Sequence, residues 1–518
     1  MATTRIFPLH ADLLGGVDTT SPAHQLKADQ WRQQHNFRLE PTLQQIPRKL
    51  PQTATLGVAA DVRWLGIVPG NQPGYGEGIA LTPTNAFRYS ATAWGSLNYP
   101  LADDGQFRRW STALYNSGLY FINELNSLSV YANGGISTIA SAPAGRYLSF
   151  WYDHVVIGYP TGSPNKLKIS GLYNFSDWTP SQQNEADDYD FVEWQQTDYP
   201  FVGVTGLGKL RGQLIVHTPT AIIPLQYVGL PKVFRVVEEA IVTRTGNTFP
   251  WTLVCLDTVQ FFFEFVERMF FAYDGQQVLP IGEPVKQFLT DYLHDDIVTA
   301  SRMYGYVDNV NHEIWWPFVS VAQAVGGQFD KAVVFDYRNK KWFTASVENV
   351  HCFCGGSRTT STIESLTGTI EALPGTIESL GLDLVGLARV YGTANGTILR
   401  EETVADTTGF AVPYDNPVLE SPDFSYDDIR TIKEVDAMIL NTTATSVEIR
   451  ASSRDFLGSP AVYSTDPLAV WIPTLIDAMV NWPAKSGRVF RYLFTLINSR
   501  NATFDAFSEG VYMKKAEK

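Results

Sequence analysis

Three groups of residues have types and spacings that chemistry could use. Gly203-Val204-Thr205-Gly206-Leu207-Gly208-Lys209 matches the opening of a phosphate-cradling loop. The next position should be Ser or Thr for magnesium, and it is Leu210. Such a loop should also open a helix, whereas Leu210 to His217 reads as a strand, so the stretch is taken as a glycine-rich bend. His351-Cys352-Phe353-Cys354 puts both thiols on one face of a strand and His351 on the other. A closed zinc site wants four ligands, and Cys255 is far away in sequence, so buried strand cysteines are the preferred reading.

The acidic residues are the third group. Glu185-Ala186-Asp187-Asp188-Tyr189-Asp190 lacks the glycine and spacing of a calcium loop and is expected to be a solvated loop. Asp295-Asp296 and Asp427-Asp428 are further pairs. A glycosidase needs two carboxylates set apart across a sugar, a geometry that adjacency does not supply. There is no G-x-S-x-G, no H-E-x-x-H and no Asp-box of the kind propeller glycosidases repeat. Trp64, Trp94, Trp110 and Trp315-Trp316-Pro317-Phe318 could make sugar platforms, but core aromatics are the commoner explanation in a strand-rich chain. No catalytic, cofactor-binding or metal residue is assigned, no cofactor is expected, and the chain is not read as an enzyme.

The elements around these residues are strands. Between Gly203 and Gly282 apolar runs rich in β-branched and aromatic residues alternate with turns such as Thr218-Pro219, Thr245-Gly246-Asn247 and Asp274-Gly275. The form strand, tight turn, strand recurs along the chain. It is seen in 113–122, in 128–139 around Asn133-Gly134, in 149–159 around Asp153-His154, in 209–227, in 303–318, in 331–343 and in 388–400 around Asn395-Gly396. Units that share a plan without a strict consensus predict an all-β fold, a β-propeller with degenerate blades. The alternative is a large β-sandwich or several small β domains. Residues 1–60 are expected to form an extended arm, 61–415 the propeller, and 416–518 a C-terminal β unit that closes it or stands beside it.

One segment repeats. Thr362-Ile363-Glu364-Ser365-Leu366 recurs at 369–373 and 376–380, which spaces Ile363, Leu366, Ile370, Leu373, Ile377 and Leu380 by three and four. Gly368, Pro374 and Gly375 oppose a continuous helix. The segment (insertion 361–382) is expected to be a loop of linked turns, with these six apolar residues as inter-subunit or partner contacts.

Composition sets limits. The chain has 518 residues, 13% aromatic and 18% charged, with a formal net charge of −14. Such a surface does not neutralise phosphates, so tight nucleic-acid binding over its whole extent is not expected. Three cysteines make no disulfide framework. No apolar run reaches the roughly 18 residues of a membrane helix, and the first residues do not read as a signal peptide.

Tyr227-Val228-Gly229-Leu230-Pro231-Lys232-Val233-Phe234 resembles a phrase of tail proteins of short-tailed bacteriophages. Phe271-Ala272-Tyr273-Asp274-Gly275 followed by Pro280-Ile281-Gly282, and Leu172 to Trp178, are similar to others. So are Gly15-Gly16-Val17-Asp18 with Asn36-Phe37-Arg38 near the start, Gly487-Arg488-Val489-Phe490-Arg491 near the end, and the repeats at 362–380. The family is the tail hub or nozzle, which includes packaged-DNA stabilisation proteins. The resemblance implies a β-propeller subunit assembled in the host cytoplasm into a virion ring, a homo-hexamer below portal and adaptor. That ring would extend the DNA-ejection channel, retain the genome, pass double-stranded DNA without gripping it, and anchor fibres or spikes. It supplies no catalytic residue. Two other readings stay open: a propeller glycosidase or depolymerase, and a module that binds host receptors.

Overall fold

The computed structural model describes residues 61–355 apart from short gaps at 70–75, 91–92, 182, 193–202, 230–231 and 310. It also describes 16–39 except 28–29, and the segments 4–7, 45–47, 51–57, 389–393, 397–401, 418–440 except 422, 446–454, 461, 463, 469–471, 479–497 and 503–513.

Tight hairpins build the body. Tyr115 pairs with Gly118, Ala132 with Gly135, Trp151 with His154 and Leu210 with Gln213, so each connection has two residues. Those residues are Asn116-Ser117, Asn133-Gly134, Tyr152-Asp153 and Arg211-Gly212, all with positive φ. Two left-handed residues in a row match the right-handed twist of the strands they join. The blade 3 tip is Tyr152-Asp153, one residue before the place the sequence suggested.

These hairpins assemble into consecutive antiparallel sheets. Blade 1 is Trp64–Pro69, Gly76–Leu81, Ala86–Ser90 and Ala93–Ser96. Blade 2 is Ser111–Tyr115, Gly118–Ile122, Ser129–Ala132 and Gly135–Thr138. Blade 3 is Gly145–Trp151, His154–Pro160, Lys166–Ile169 and Asp187–Asp190. Blade 4 is Gly206–Leu210, Gln213–His217, Ala221–Tyr227 and Phe234–Val236, and Val242–Thr243 also pairs its third strand. Blade 5 is Val254–Cys255, Gln260–Glu264, Met269–Tyr273 and Val278–Pro280. Blade 6 is Tyr306–Asp308, Glu313–Phe318, Phe329–Asp336 and the first half of Lys341–Gly355.

Side-chain alternation turns the row of sheets into a ring. In blade 4, Leu214 and Val216 join the core shared with blade 3, while Ile215 joins the core shared with blade 5. In blade 5, Phe262 faces blade 4, and Phe261 and Phe263 face blade 6. Within blade 6, Trp316 packs toward blade 5 and Trp315 into the opposite cluster. Both faces of each blade are covered, which is why these strands read as unbroken apolar runs. The last blade meets the first. Val62, Leu65 and Ala80 form one cluster with Cys352, whose Sγ donates to the Val62 carbonyl (3.4 Å). The fold is a β-propeller with six blades among the described residues.

The remaining strands form a second region. Thr4–Phe7 pairs with Thr503–Met513, Gln33–His35 with Val418–Glu420, and Pro51–Gly57 with Thr397–Glu401. Phe424–Leu440 and Met479–Ile497 pair along much of their 17 and 19 residues, far longer than any blade strand except Lys341–Gly355. The expected N-terminal arm thus pairs with strands near the other end of the chain. Lys341–Gly355 links the regions, since its second half pairs with Arg389–Thr393. The arm docks on the same strand: Val17 N–H donates to the Trp342 carbonyl (2.9 Å) and Asn36 N–H to that of Thr344 (2.9 Å).

Candidate functional site

Ring closure gathers residues that are far apart in sequence. The segments before blades 2, 5 and 6 and the start of blade 3 bring Arg108 with Arg109, Trp251, Arg302 and Arg146 together. A cavity of about 480 Å³ lies there, walled by Phe107, Arg108, Arg109, Arg146, Trp251 and Arg302 among others. Four arginines and one carboxylate, Glu124, line it.

The arginines fall into two kinds. Arg108 and Arg146 are neutralised. Glu124 bridges the two, and Asp104 takes Arg108 Nη2 (2.6 Å) and Nε (3.1 Å). Arg146 also lies over the Tyr159 ring at 4.0 Å. These contacts hold the Arg108 guanidinium above its ordinary pKa, the Asp104 hydrogen bond foremost.

Arg109 and Arg302 have no carboxylate partner among the described residues. Arg109 is 6% exposed, and it donates through Nη1 to the His351 carbonyl (3.0 Å) and through Nη2 to the Arg302 carbonyl (3.1 Å). Its guanidinium lies 3.9 Å from the centre of the Tyr304 ring, and its Nε has no hydrogen-bond partner. Burial lowers its pKa to about 10, which leaves it charged at neutral pH. Arg302 donates to the Gly326 carbonyl (2.6 Å), lies 4.4 Å over Phe107, and likewise has a buried, unpartnered Nε. Desolvation and the nearby Arg63 charge depress its pKa. Buried Arg109 and half-buried Arg302 are held by carbonyls and aromatic faces, and their charge is offset only at longer range, by Asp61 and Asp296.

Asp61 keeps the neighbouring cation neutral. It accepts from Arg63 Nε (2.9 Å) and bonds His351 Nδ1 (2.6 Å). Burial would raise its pKa, but the bonds and charges of His351 and Arg63 outweigh burial and lower it.

The sequence-selected groups have other places. Gly206–Leu210 is the first strand of blade 4, so Gly203 to Lys209 opens no helix. Cys352 is buried in the seam between blades 6 and 1. Asp187–Asp190 is a strand, which corrects the loop expectation: Lys168 sits opposite Asp188, and Lys166 opposite Asp190, in opposite-charge cross-strand pairs. Asp296 caps a short helix, accepting from Thr299 N–H (2.9 Å) and Oγ1 (2.7 Å). Asp427 and Asp428 lie in the strand Phe424–Leu440. Trp110, Trp315 and Trp316 are buried, and Trp64 and Trp94 pack at the edges of cores. Ile363, Leu366, Ile370, Leu373, Ile377 and Leu380 lie outside the described residues.

Sequence reasoning missed the arginine cavity. Its local signal is Arg108-Arg109 between Phe107 and Trp110, two cations just ahead of the first strand of blade 2. Its other members lie tens to nearly two hundred residues away. Among the described residues no group of three or more His, Cys, Asp or Glu could hold a metal ion, and no helix is long and apolar enough to cross a membrane.

No family model matches the chain, and no curated protein matches it. Among solved structures, the chain is similar to the extracellular domain of a one component system from B. thetaiotaomicron (10% identity, TM-score 0.39, 81% of this chain and 48% of that one). It is also similar to PorZ, a surface component of the type-IX secretion system of Porphyromonas gingivalis (7% identity, TM-score 0.37, 74% and 44%). A third is the Neurospora crassa Pan2 WD40 domain (11% identity, TM-score 0.38, 70% and 100%). The chain spans about half the length of the first two. At these scores the fold assignment rests on the strand pairings themselves.

Proposed function

We propose that this chain is a structural subunit of a short-tailed phage virion: a tail nozzle or hub protein whose copies close into a ring, a hexamer, below portal and adaptor. The ring extends the DNA-ejection channel, helps retain the genome and anchors fibres or spikes. It works by shape and charge and makes no bonds.

The observation that carries this reading is where the family-like phrases fall. Tyr227 to Phe234 joins the third and fourth strands of blade 4. Phe271 to Gly282 ends blade 5, and Gly282 N–H donates to the Phe270 carbonyl (3.1 Å). Val17 docks the arm on Trp342, and Gly487 to Arg491 lies in the longest strand. The phrases thus occupy joints of the fold. The net charge of −14 suits a conduit that DNA crosses without adhering. The reading puts the DNA path between copies.

Electron microscopy of the purified chain, alone and with its adaptor, tests this. Rings with a central opening are expected. Single particles under both conditions would contradict it.

One observation favours the receptor-binding alternative. Tyr152 and Tyr173 are 50% and 68% exposed, both have positive φ, and Tyr173 Oη donates to Asp153 (2.7 Å). Exposed aromatic rings held in a costly backbone conformation suit sugar stacking. Glycan-array binding lost in Tyr173→Ala would support that reading, and no binding by the intact chain would remove it.

A further inference from the structure

We propose that the arginine cavity is a binding site for a small phosphate-bearing molecule. The inference does not depend on the tail reading, because it concerns the interior of one propeller. It starts from charge. Glu124 and Asp104 pair with Arg108 and Arg146, while Arg109 and Arg302 line the cavity without an ion pair among the described residues, Asp61 and, for Arg302, Asp296 acting on them only at longer range. Each of these two arginines also keeps a buried Nε–H without an acceptor. A buried donor left unpaired is costly, and a buried charge more so. An oxyanion reaching both guanidinium groups would supply acceptor and counter-charge together.

Geometry narrows the ligand. Guanidinium donors in a planar fork match phosphate oxygens, and two cations without an ion-pair partner among the described residues match a dianion better than a monocarboxylate. About 480 Å³ falls within the range of small-molecule pockets and far exceeds the need of one phosphate group. The surplus space has a flat apolar surface in Trp251 and belongs to an organic moiety on the phosphate. Trp251 is half-buried against Tyr147, with ring centres 5.4 Å apart, so its orientation is set. The cation–π contacts of Arg302 with Phe107 and Arg109 with Tyr304 hold the guanidinium planes before any ligand arrives. The overall charge of −14 would otherwise repel such an anion, so recognition depends on this cavity.

The test is calorimetric titration of the full chain at low ionic strength with ATP, inorganic phosphate and adenosine. ATP should bind, inorganic phosphate more weakly, and adenosine hardly at all. Arg302→Gln should weaken ATP binding about tenfold or more, whereas Arg235→Gln, at an exposed position on the fourth strand of blade 4, should leave it unchanged. Trp251→Ala should weaken ATP but not inorganic phosphate, separating an organic ligand from free phosphate. Ser301→Glu covers the case that Arg302→Gln fails to fold. It puts a carboxylate on the cavity wall while keeping every buried cation, and it should abolish binding. Adenosine binding as tightly as ATP would overturn the proposal. So would equal losses in Arg302→Gln and Arg235→Gln, binding undiminished in Ser301→Glu, or no phosphate ligand binding the intact chain.

Discussion

The propeller body and the terminal sheet are made of the same secondary structure by opposite means. In the body nearly every strand pairs with its sequence neighbour through a short turn, as Tyr115 with Gly118 or Glu264 with Met269. In the terminal sheet Thr4 pairs with Tyr512 and Gln33 with Glu420. Local pairing costs little loop entropy, and pairing across the chain costs more and forms later. The body is a set of units that the sequence writes one after another, while the terminal sheet is complete only when both ends are in place.

The largest test of that contrast removes one buried tryptophan from each region. Trp316 is fully buried between blades 5 and 6, and its Nε1 donates to the Thr252 carbonyl (2.9 Å). Trp31 is fully buried in the arm beside Val17. Either change to Ala should cost about 3–5 kcal/mol. Trp316→Ala should lower the denaturant midpoint of the whole body. Trp31→Ala should instead speed hydrogen exchange in 33–35 and 418–420 while blades 2 to 4 keep their protection. Identical exchange patterns would show that the two regions open as one.

An acid-labile element sits in the body. His217 is fully buried, and its Nε2 lies 2.8 Å from Gln260 Oε1. Burial, partly opposed by that hydrogen bond, lowers its pKa from 6.5 to about 4. Between those values the unfolded chain holds more protons than the folded one, so stability rises with pH. The contribution is present above pH 6.5 and is lost as pH falls toward 4, on the order of 3 kcal/mol in all. Unfolding monitored from pH 7 to 4 should show this slope in the wild type and less of it in His217→Gln. An unchanged slope would remove the assignment.

The smallest effect concerns a hairpin tip. Asn133 has φ of 53°, and Asn133→Val should cost about 1–2 kcal/mol by forcing a β-branched residue into the left-handed region. The loss should be read as a lower thermal midpoint of the body. A neutral change would mean that the turn does not set the register of blade 2.

The same contrast decides what could be read from residues alone. Asn133-Gly134 and Asp274-Gly275 mark turns because their chemistry is local. Runs such as Phe261-Phe262-Phe263 declare strands buried on both faces. The pairing of Lys166 and Lys168 with the acidic strand at 187–190 was not legible, because acid-rich segments look solvated until their partners are known. The arginine cavity escaped for a stronger reason. Arg109 and Arg302 meet only after the ring closes, and nothing in a spacing of nearly two hundred residues announces it. The terminal sheet was read as a separate arm and C-terminal unit because its partners lie at opposite ends of the chain.

If the proposed tail reading is right, this propeller is one copy in a closed ring. Native mass spectrometry of the full chain, alone and mixed with an adaptor, should then find an assembly holding six copies of the 57.7 kDa chain. A sharp species at one chain mass under the same conditions would contradict it.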